Sequence, residues 1–270
     1  MKKAAFMSIM ICSILFSFTA CVNVNASNGF LGKNIRGNGI RKEQDRGKMD
    51  FNAINTRGSI DVIISDITDA PVKVSGDENL IEYIETNVTN GVLNIQFKDN
   101  EYASYSSRIG LKVTVPNNGL INSIHASGSS DVKTEGVVTA ENISIVCKGS
   151  SDFNGKIKAV KCEIDCSGSS DFKGSIETTT GIFKFSGSSD CIINGYADVC
   201  DITTSGSSDF KGYDFIVNKL NCNTSGSSDV QITCNEEISV RATGSSDFYY
   251  KGSAIILSQH TSGSSDIIKR

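Results

Sequence analysis

The sequence predicts an all-β protein, a parallel β-helix or β-solenoid with rungs of about 19 residues. Three observations carry this. The tetrapeptide Gly-Ser-Ser-Asp occurs eight times, beginning at Gly128, Gly149, Gly168, Gly187, Gly206, Gly226, Gly244 and Gly263, at steps of 21, 19, 19, 19, 20, 18 and 19 residues. Aligned on that glycine, the copies alternate apolar and polar residues on both sides of the tetrad. The composition, with 25 glycines, two prolines and no tryptophan, suits strands joined by tight turns.

Residues 1–20 read as an export signal of lipoprotein type. Lys2 and Lys3 form the charged end and Ala4 to Phe18 the apolar run. That run is shorter than the roughly 20 apolar residues that a membrane-spanning helix needs. It closes on Phe18-Thr19-Ala20-Cys21, which resembles a bacterial lipoprotein box with Cys21 as the lipid acceptor, although Phe18 stands where such boxes usually carry Leu. The rival cut falls after Val24-Asn25-Ala26 and would secrete the chain without a lipid. Residues 21–48, rich in Gly, Asn, Lys and Arg without an apolar period, read as a flexible tether. Both routes take the protein out of the cytoplasm, as an outer-membrane lipoprotein (periplasmic or surface-facing) or a secreted protein. The formal charge of the whole chain is −4. Clustered Lys and Arg are lacking, which argues against a nucleic-acid partner.

Residues 49–116 read as an N-terminal β-rich part. Phe51-Asn52-Ala53-Ile54 and Gly58 to Ile64 suggest two strands about a turn at Arg57-Gly58, and Pro71 to Val74 a third. Leu80, Ile81 and Ile84 have helical spacing and suggest one short helix. Asn90-Gly91 between alternating runs signals a hairpin. A polar loop over 99–108 precedes a strand at Leu111 to Val115.

Residues 117–270 carry the eight repeats. Four residues before each glycine stand Ile124, Ile145, Ile164, Phe183, Ile202, Cys222, Val240 and Gln259. One residue after each aspartate stand Val132, Phe153, Phe172, Cys191, Phe210, Val230, Phe248 and Ile267. Each repeat is thus strand, Gly-Ser-Ser turn, strand and a more variable turn, with one face of each strand buried. Stacking like on like buries a continuous core, with successive rungs about 4.8 Å apart. A β-propeller would need blades of roughly 40 residues and could form only four from these repeats.

Beyond Cys12 and Cys21 lie seven cysteines, Cys147, Cys162, Cys166, Cys191, Cys200, Cys222 and Cys234. The first six fall on inward register positions, which makes them small buried core residues. Cys147 and Cys166 become direct neighbours, although parallel side chains suit a disulfide poorly. A zinc site is not expected without a Cys-x-x-Cys pair or a nearby His.

Stacking also aligns Asp131, Asp152, Asp171, Asp190, Asp209, Asp229, Asp247 and Asp266. Carboxylates about 5 Å apart repel by roughly 0.8 kcal/mol in water and several-fold more without it. The ladder must therefore be solvated, hydrogen-bonded or neutralised. The architectural reading is that Gly allows a positive-φ bend while Ser and Asp oxygens accept turn N–H groups. The alternative is a Ca²⁺ ladder, since calcium takes 6–8 hard oxygens. The nine-residue Gly-Gly-x-Gly-x-Asp calcium pattern of other exported solenoids is absent.

The chain resembles the putative auto-transporter adhesin, head GIN domain family. The residues that carry this are Phe51 to Ile64, Val72-Lys73-Val74-Ser75-Gly76-Asp77, Asn90 to Ile95, Leu111-Lys112-Val113-Thr114-Val115-Pro116, and Ile124 to Ser129. The resemblance covers most of Met49 to Arg270 and implies a β-helical fold, export with lipid anchoring, and an adhesin role without catalytic residues. Independently, His125 and His260 share a register position at opposite ends of the stack, and sugar-stacking aromatics are scarce. No catalytic set is expected, and a polysaccharide-active enzyme is the weakest alternative. The leading expectation is a non-enzymatic binding or structural module of the cell envelope that contacts a glycan or protein surface. A second is a scaffold associating end to end through an open C-terminal sheet edge beyond Ile267.

Overall fold

The computed structural model describes residues 33–98 and 102–270. The expected export signal, the Cys21 lipid site and the first part of the tether lie outside these residues. In chain order come β1 (Lys33–Arg36), β2 (Arg41–Asp45), β3 (Ala53–Gly58), β4 (Asp61–Ser65), β5 (Lys73–Asp77), a 3-10 turn (Ile81–Tyr83), β6 (Ile84–Thr89), β7 (Val92–Phe97), β8 (Tyr102–Ser106) and β9 (Lys112–Pro116). The repeats supply β10 (Ser123–Gly128), β11 (Val132–Gly149), β12 (Phe153–Gly168), β13 (Phe172–Gly187), β14 (Cys191–Gly206), β15 (Phe210–Gly226), β16 (Val230–Gly244), β17 (Phe248–Lys251), β18 (Ile255–Gly263) and β19 (Ile267–Lys269).

From β10 onward each strand pairs in parallel with its counterpart one rung away, glycine against glycine: Gly128 with Gly149, Gly149 with Gly168, Gly168 with Gly187. The predicted β-solenoid is the observed fold. One rung is a strand of about 16 residues that bends within itself, followed by Ser-Ser-Asp at the sharp corner. The bend is visible in β12, where inward Phe153, Ile157 and Ala159 give way to inward Cys162, Ile164 and Cys166. Two consecutive outward residues, Val160 and Lys161, reverse the phase. Variations of one to two residues in rung length are absorbed after the aspartate and at this bend, where the pairing slips at Lys133/Val137, Gly212/Ile216 and Val217/Lys219.

The core follows from the register. Phe153 stacks on Phe172 at 5.3 Å between ring centres. Cys191 is the small residue in the same column, and Phe183 and Phe185 reach Phe210 at 6.4 and 6.1 Å. Each fully buried Phe contributes about 1.5–3 kcal/mol. All seven described cysteines are buried free thiols. Burial pushes the Cys162 thiol up to about 12 and raises those of Cys191, Cys200 and Cys222. They are packing groups rather than nucleophiles.

The N-terminal part extends the same solenoid. β3 pairs in parallel with β10, and β4 with β11. On the opposite side, β3 pairs in parallel with β7 and β4 with β9, so β7 and β9 form a further partial rung. Antiparallel strands then close this end: β6 covers β7, and β5 covers β9 with β2 beyond it. The hairpin between β6 and β7 turns at Asn90 (φ 52°) and Gly91 (φ 77°), as its sequence predicts.

Three expectations need correction. The polar loop expected over 99–108 holds β8 at Tyr102–Ser106, which pairs in parallel with β1. The tether does not extend to residue 48, because β1 pairs with β8 and β2 with β5. β2 lacks an apolar period because all five of its residues are exposed. It is held by backbone pairing and by Lys73–Glu43 at 2.9 Å, with Lys42–Glu78 at 3.1 Å beside it. The short helix is only a 3-10 turn. Leu80, Ile81 and Ile84 are all buried, but Ile84 is already extended (φ −83°, ψ 120°) and begins β6.

Candidate functional site

The stacked corner is held by a four-part hydrogen-bond relay that repeats from rung to rung. The first serine N–H donates to the glycine carbonyl of the preceding rung, as Ser188 to Gly168 O at 2.8 Å. The second serine N–H donates forward to the next second-serine hydroxyl, as Ser170 to Ser189 Oγ at 3.3 Å. The aspartate N–H donates back to the preceding carboxylate, as Asp190 to Asp171 Oδ1 at 2.8 Å. The residue after it donates forward, as Phe172 N to Asp190 O at 2.9 Å. These bonds carry the parallel ladder around a corner where plain strand pairing would fail.

The glycine is required twice. Its φ lies between 81° and 92° in all eight copies. A Cβ on Gly187 would also stand 2.5 Å from the carbonyl oxygen of Gly168.

The tetrad is not a uniformly polar edge. The first serine and the aspartate face outward, but the second serine is enclosed in every copy: Ser130, Ser151, Ser170, Ser189, Ser208, Ser228 and Ser246 are fully buried and Ser265 nearly so. Ser189 Oγ is satisfied inside, since it also donates to Ser186 O at 3.0 Å. Ser189→Ala should therefore cost about 1–3 kcal/mol by leaving the buried Ser170 N–H unpaired. Asp190→Ala should cost less, because water can replace its carboxylate at the surface. Paired urea melts check this, and equal losses would contradict it.

A ninth corner lies outside the period of the eight repeats. Gly58-Ser59-Ile60-Asp61 stacks directly beneath the first Gly-Ser-Ser-Asp. Gly128 pairs with Gly58, Ser129 N donates to Gly58 O at 2.7 Å, and Asp131 N donates to Asp61 Oδ1 at 3.2 Å. Ile60 replaces the second serine and is fully buried, as that inward position demands. The intervening strands put it 70 residues from Gly128 instead of about 19, which hides it from a search for a fixed period.

All eight predicted aspartates come together as one ladder, extended by Asp61. From Asp131 through Asp247, each Oδ1 accepts the next rung's aspartate N–H, at 2.8 to 3.3 Å. Lysines share the neutralisation. Lys211 Nζ lies 3.0 Å from Asp190 Oδ2 and 3.5 Å from Asp209 Oδ2. Its pKa is raised, first by the hydrogen bond to Asp190 and then, against burial, by the charges of both carboxylates. Lys133 and Lys173 occupy the same column, so a lysine recurs on every second rung through Lys211. Calcium would have to use mainly the Oδ2 oxygens, one per rung, whereas it takes 6–8 oxygens. Among the described residues no group of three or more His, Cys, Asp or Glu is arranged to hold a metal ion. Adding millimolar Ca²⁺ to the purified protein decides between the two readings of the ladder: an unchanged Tm would remove calcium, and a saturable rise would support it.

His125 and His260 lie at opposite ends of the stack and share no site. His125 is half-buried, its Nε2 has no hydrogen-bond partner, and its pKa is lowered by burial and then by Lys148. His260 is exposed.

The comparisons agree with this architecture. The family model described as putative auto-transporter adhesin, head GIN domain matches residues 50–254. A crystal structure of a "putative adhesin" from Parabacteroides merdae superposes with a TM-score of 0.80 at 20% identity, covering 88% of this chain and 99% of that one. A "putative lipid binding protein" from Parabacteroides distasonis gives 0.78 at 24% identity, covering 88% and 100%. A "putative adhesin" from Bacteroides fragilis gives 0.65 at 19%, covering 87% and 100%. At these identities the likeness is one of fold. No curated protein matches the chain. Because the family model matches three quarters of its length, the chain belongs to the family described as putative auto-transporter adhesin, head GIN domain.

Proposed function

We propose that the chain is exported, lipidated at Cys21 and held at the cell envelope as a non-enzymatic module that binds another surface through its outer faces. The observation that carries this reading is the division of labour in the rung. Inward groups and corner groups are committed to packing and to the rung-to-rung relay, so the outward columns are left to meet a partner. Family membership and the adhesin names of the structural neighbours support the binding role. The leader and the Phe18-Thr19-Ala20-Cys21 box support the anchor, and the neighbour named a lipid binding protein fits an envelope setting.

Two measurements test it. Cells expressing the chain and fed labelled palmitate should label it, and Cys21→Ala should remove the label and release the protein; label that survives the substitution, or a mature chain beginning at Ser27, would overturn the anchor. Beads coated with the mature chain should be retained on mucin- or matrix-protein-coated surfaces, and beads that wash off all of them would overturn the binding role.

A second reading, self-association, is favoured by β18 and β19. Each has a strand on only one side among the described residues, and Ile255 and Leu257 are 62% and 59% exposed. The opposite end finishes on β2 and β6, edge strands whose exposed residues are mainly polar or charged, so the apolar C-terminal edge is the one that favours pairing, as a tail-to-tail dimer. Light scattering across concentrations should then show a dimer and no larger species, abolished by Leu257→Lys; a strict monomer or a filament would remove this reading.

A further inference from the structure

One concavity stands apart from the ladder-built surface. It has a volume of about 500 Å³ and lies where the turn before β10 meets the bends of β11 and β12. Its lining includes Leu120, Asn122, Glu141, Asn142, Ser144 and Glu163. The turn is firmly built. Asn118 Nδ2 donates to Phe51 O at 2.7 Å, its Oδ1 accepts the Leu120 N–H at 3.0 Å, and Gly119 takes φ 74°. Ile121 is buried and fixes the turn from below, which leaves Leu120 held outward at 63% exposure.

The polar lining is uncommitted. The side chains of Asn122, Glu141, Asn142 and Ser144 make no hydrogen bond or ion pair within the described protein. Farther along the stack, Asn221 is tied to Asp201 at 3.1 Å and Asn218 to Asp198 at 3.2 Å, whereas Asn223 is as free as the amides of the groove but stands outside that concavity. Glu163 is neutralised by Lys161 at 2.5 Å, so Glu141 is the unpaired charge of the lining. A smaller depression, of about 120 Å³, shares Ser144 and Glu163 and carries the groove along the axis past Asp165 and Lys184, one charge of each sign.

From this geometry we infer that the groove is a binding site for a short neutral oligosaccharide lying along the solenoid axis. The inference rests on the binding-module reading above and gives that module a ligand class. Amides, a carboxylate and a hydroxyl together offer donors and acceptors in the mixture that sugar hydroxyls require. Leu120 offers an apolar surface for the C–H face of one ring. The register places Asn142 beside Lys161 and Ser144 beside Glu163 on successive rungs. Their spacing, about 4.8 Å, is close to the length of one pyranose unit. The unpaired Glu141 disfavours acidic sugars.

The test is a titration of the ¹⁵N-labelled mature chain with mannotriose, N,N′,N″-triacetylchitotriose, cellotriose and, as the acidic probe, trigalacturonate. At least one neutral trisaccharide should shift the backbone amides of residues 120–122 and 141–144 saturably, with a Kd in the millimolar range, and trigalacturonate should not. Asn142→Ala and Glu141→Gln, both at the surface, should each weaken that binding at least fivefold with an unchanged Tm. Asn223→Ala, outward at the far end of the stack, should leave it unchanged. No saturable shift with any neutral probe, equal binding of trigalacturonate, or shifts mapping elsewhere would overturn the inference. Bead retention measured alongside separates the two ideas: beads that bind without trisaccharide binding remove the groove and keep the module, and failure of both removes both.

Discussion

Replacing Gly187 with alanine should destabilise the protein by at least about 3 kcal/mol. Holding a non-glycine residue at positive φ costs about 1–3 kcal/mol by itself, and Gly187 sits at φ 85°. The added Cβ would also lie 2.5 Å from Gly168 O and 3.1 Å from Gly168 N. That same carbonyl accepts the Ser188 N–H at 2.8 Å, so the rungs cannot separate to admit the methyl without losing the relay. For a domain of this size the loss corresponds to a Tm lower by roughly 6–12 °C. Gly47→Ala is the matched control, since Gly47 has φ 80° and nothing within 4 Å of its would-be Cβ. It should cost about 1 kcal/mol, from backbone strain alone. Equal losses in thermal melts would show that rung stacking adds nothing to the glycine requirement.

Removing the Asp77 carboxylate should open the closed N-terminal end. Asp77 is fully buried and gathers two separate loops. Its Oδ1 accepts the Gly39 N–H at 2.6 Å, and its Oδ2 accepts the Ser107 hydroxyl at 2.5 Å and the Arg108 N–H at 3.0 Å. Hydrogen bonds to a charged group contribute about 1.5–3 kcal/mol each, so Asp77→Ala should cost about 3 kcal/mol or more. Hydrogen exchange should show β2 and β5 losing protection before the repeat core does; uniform loss over the whole stack would refute a local role.

The pH dependence has a definite sign. Burial, the largest influence on Asp77, raises its pKa, but the bonds from Ser107, Gly39, Arg108 and Ile109 together outweigh it, and the pKa ends below the ordinary value. A depressed folded-state pKa stabilises the fold above the unfolded-state value near 3.9, and that contribution fades as the pH falls through the folded-state value. The Tm difference between the wild type and Asp77→Asn should therefore be full at pH 7 and shrink below about pH 4. A gap independent of pH would assign the effect to shape rather than charge.

How far these residues could be read in advance differs sharply. The glycine of the tetrad, its corner position and the inward cysteines follow from period and alternation alone. The aspartate ladder was also legible, but not what satisfies it. Backbone N–H groups from the next rung and a lysine on alternate rungs become partners only once the winding is known. The role of Asp77 was not legible: its Val72 to Asp77 run helps carry the family resemblance, but its hydrogen-bond partners are 30 to 38 residues away. The groove is equally silent, because its lining comes from three successive windings that meet only in space.

By itself, the sequence determined the class of the fold, the rung length, the register of the repeats and the identity of the inward faces. These are local and periodic properties, and each copy restates them. Only the tertiary structure decided the order of stacking at the N-terminal end. There β7 and β9 slide beneath β3 and β4, while β10 and β11 stack on top, so chain order and spatial order part company. That rearrangement makes Gly58-Ser59-Ile60-Asp61 a ninth corner and turns an exposed polar segment into an edge strand. The physical reason is common to both. A backbone hydrogen bond is indifferent to side-chain pattern, so strands can be recruited, inserted or capped wherever an edge is free, and no periodicity records it.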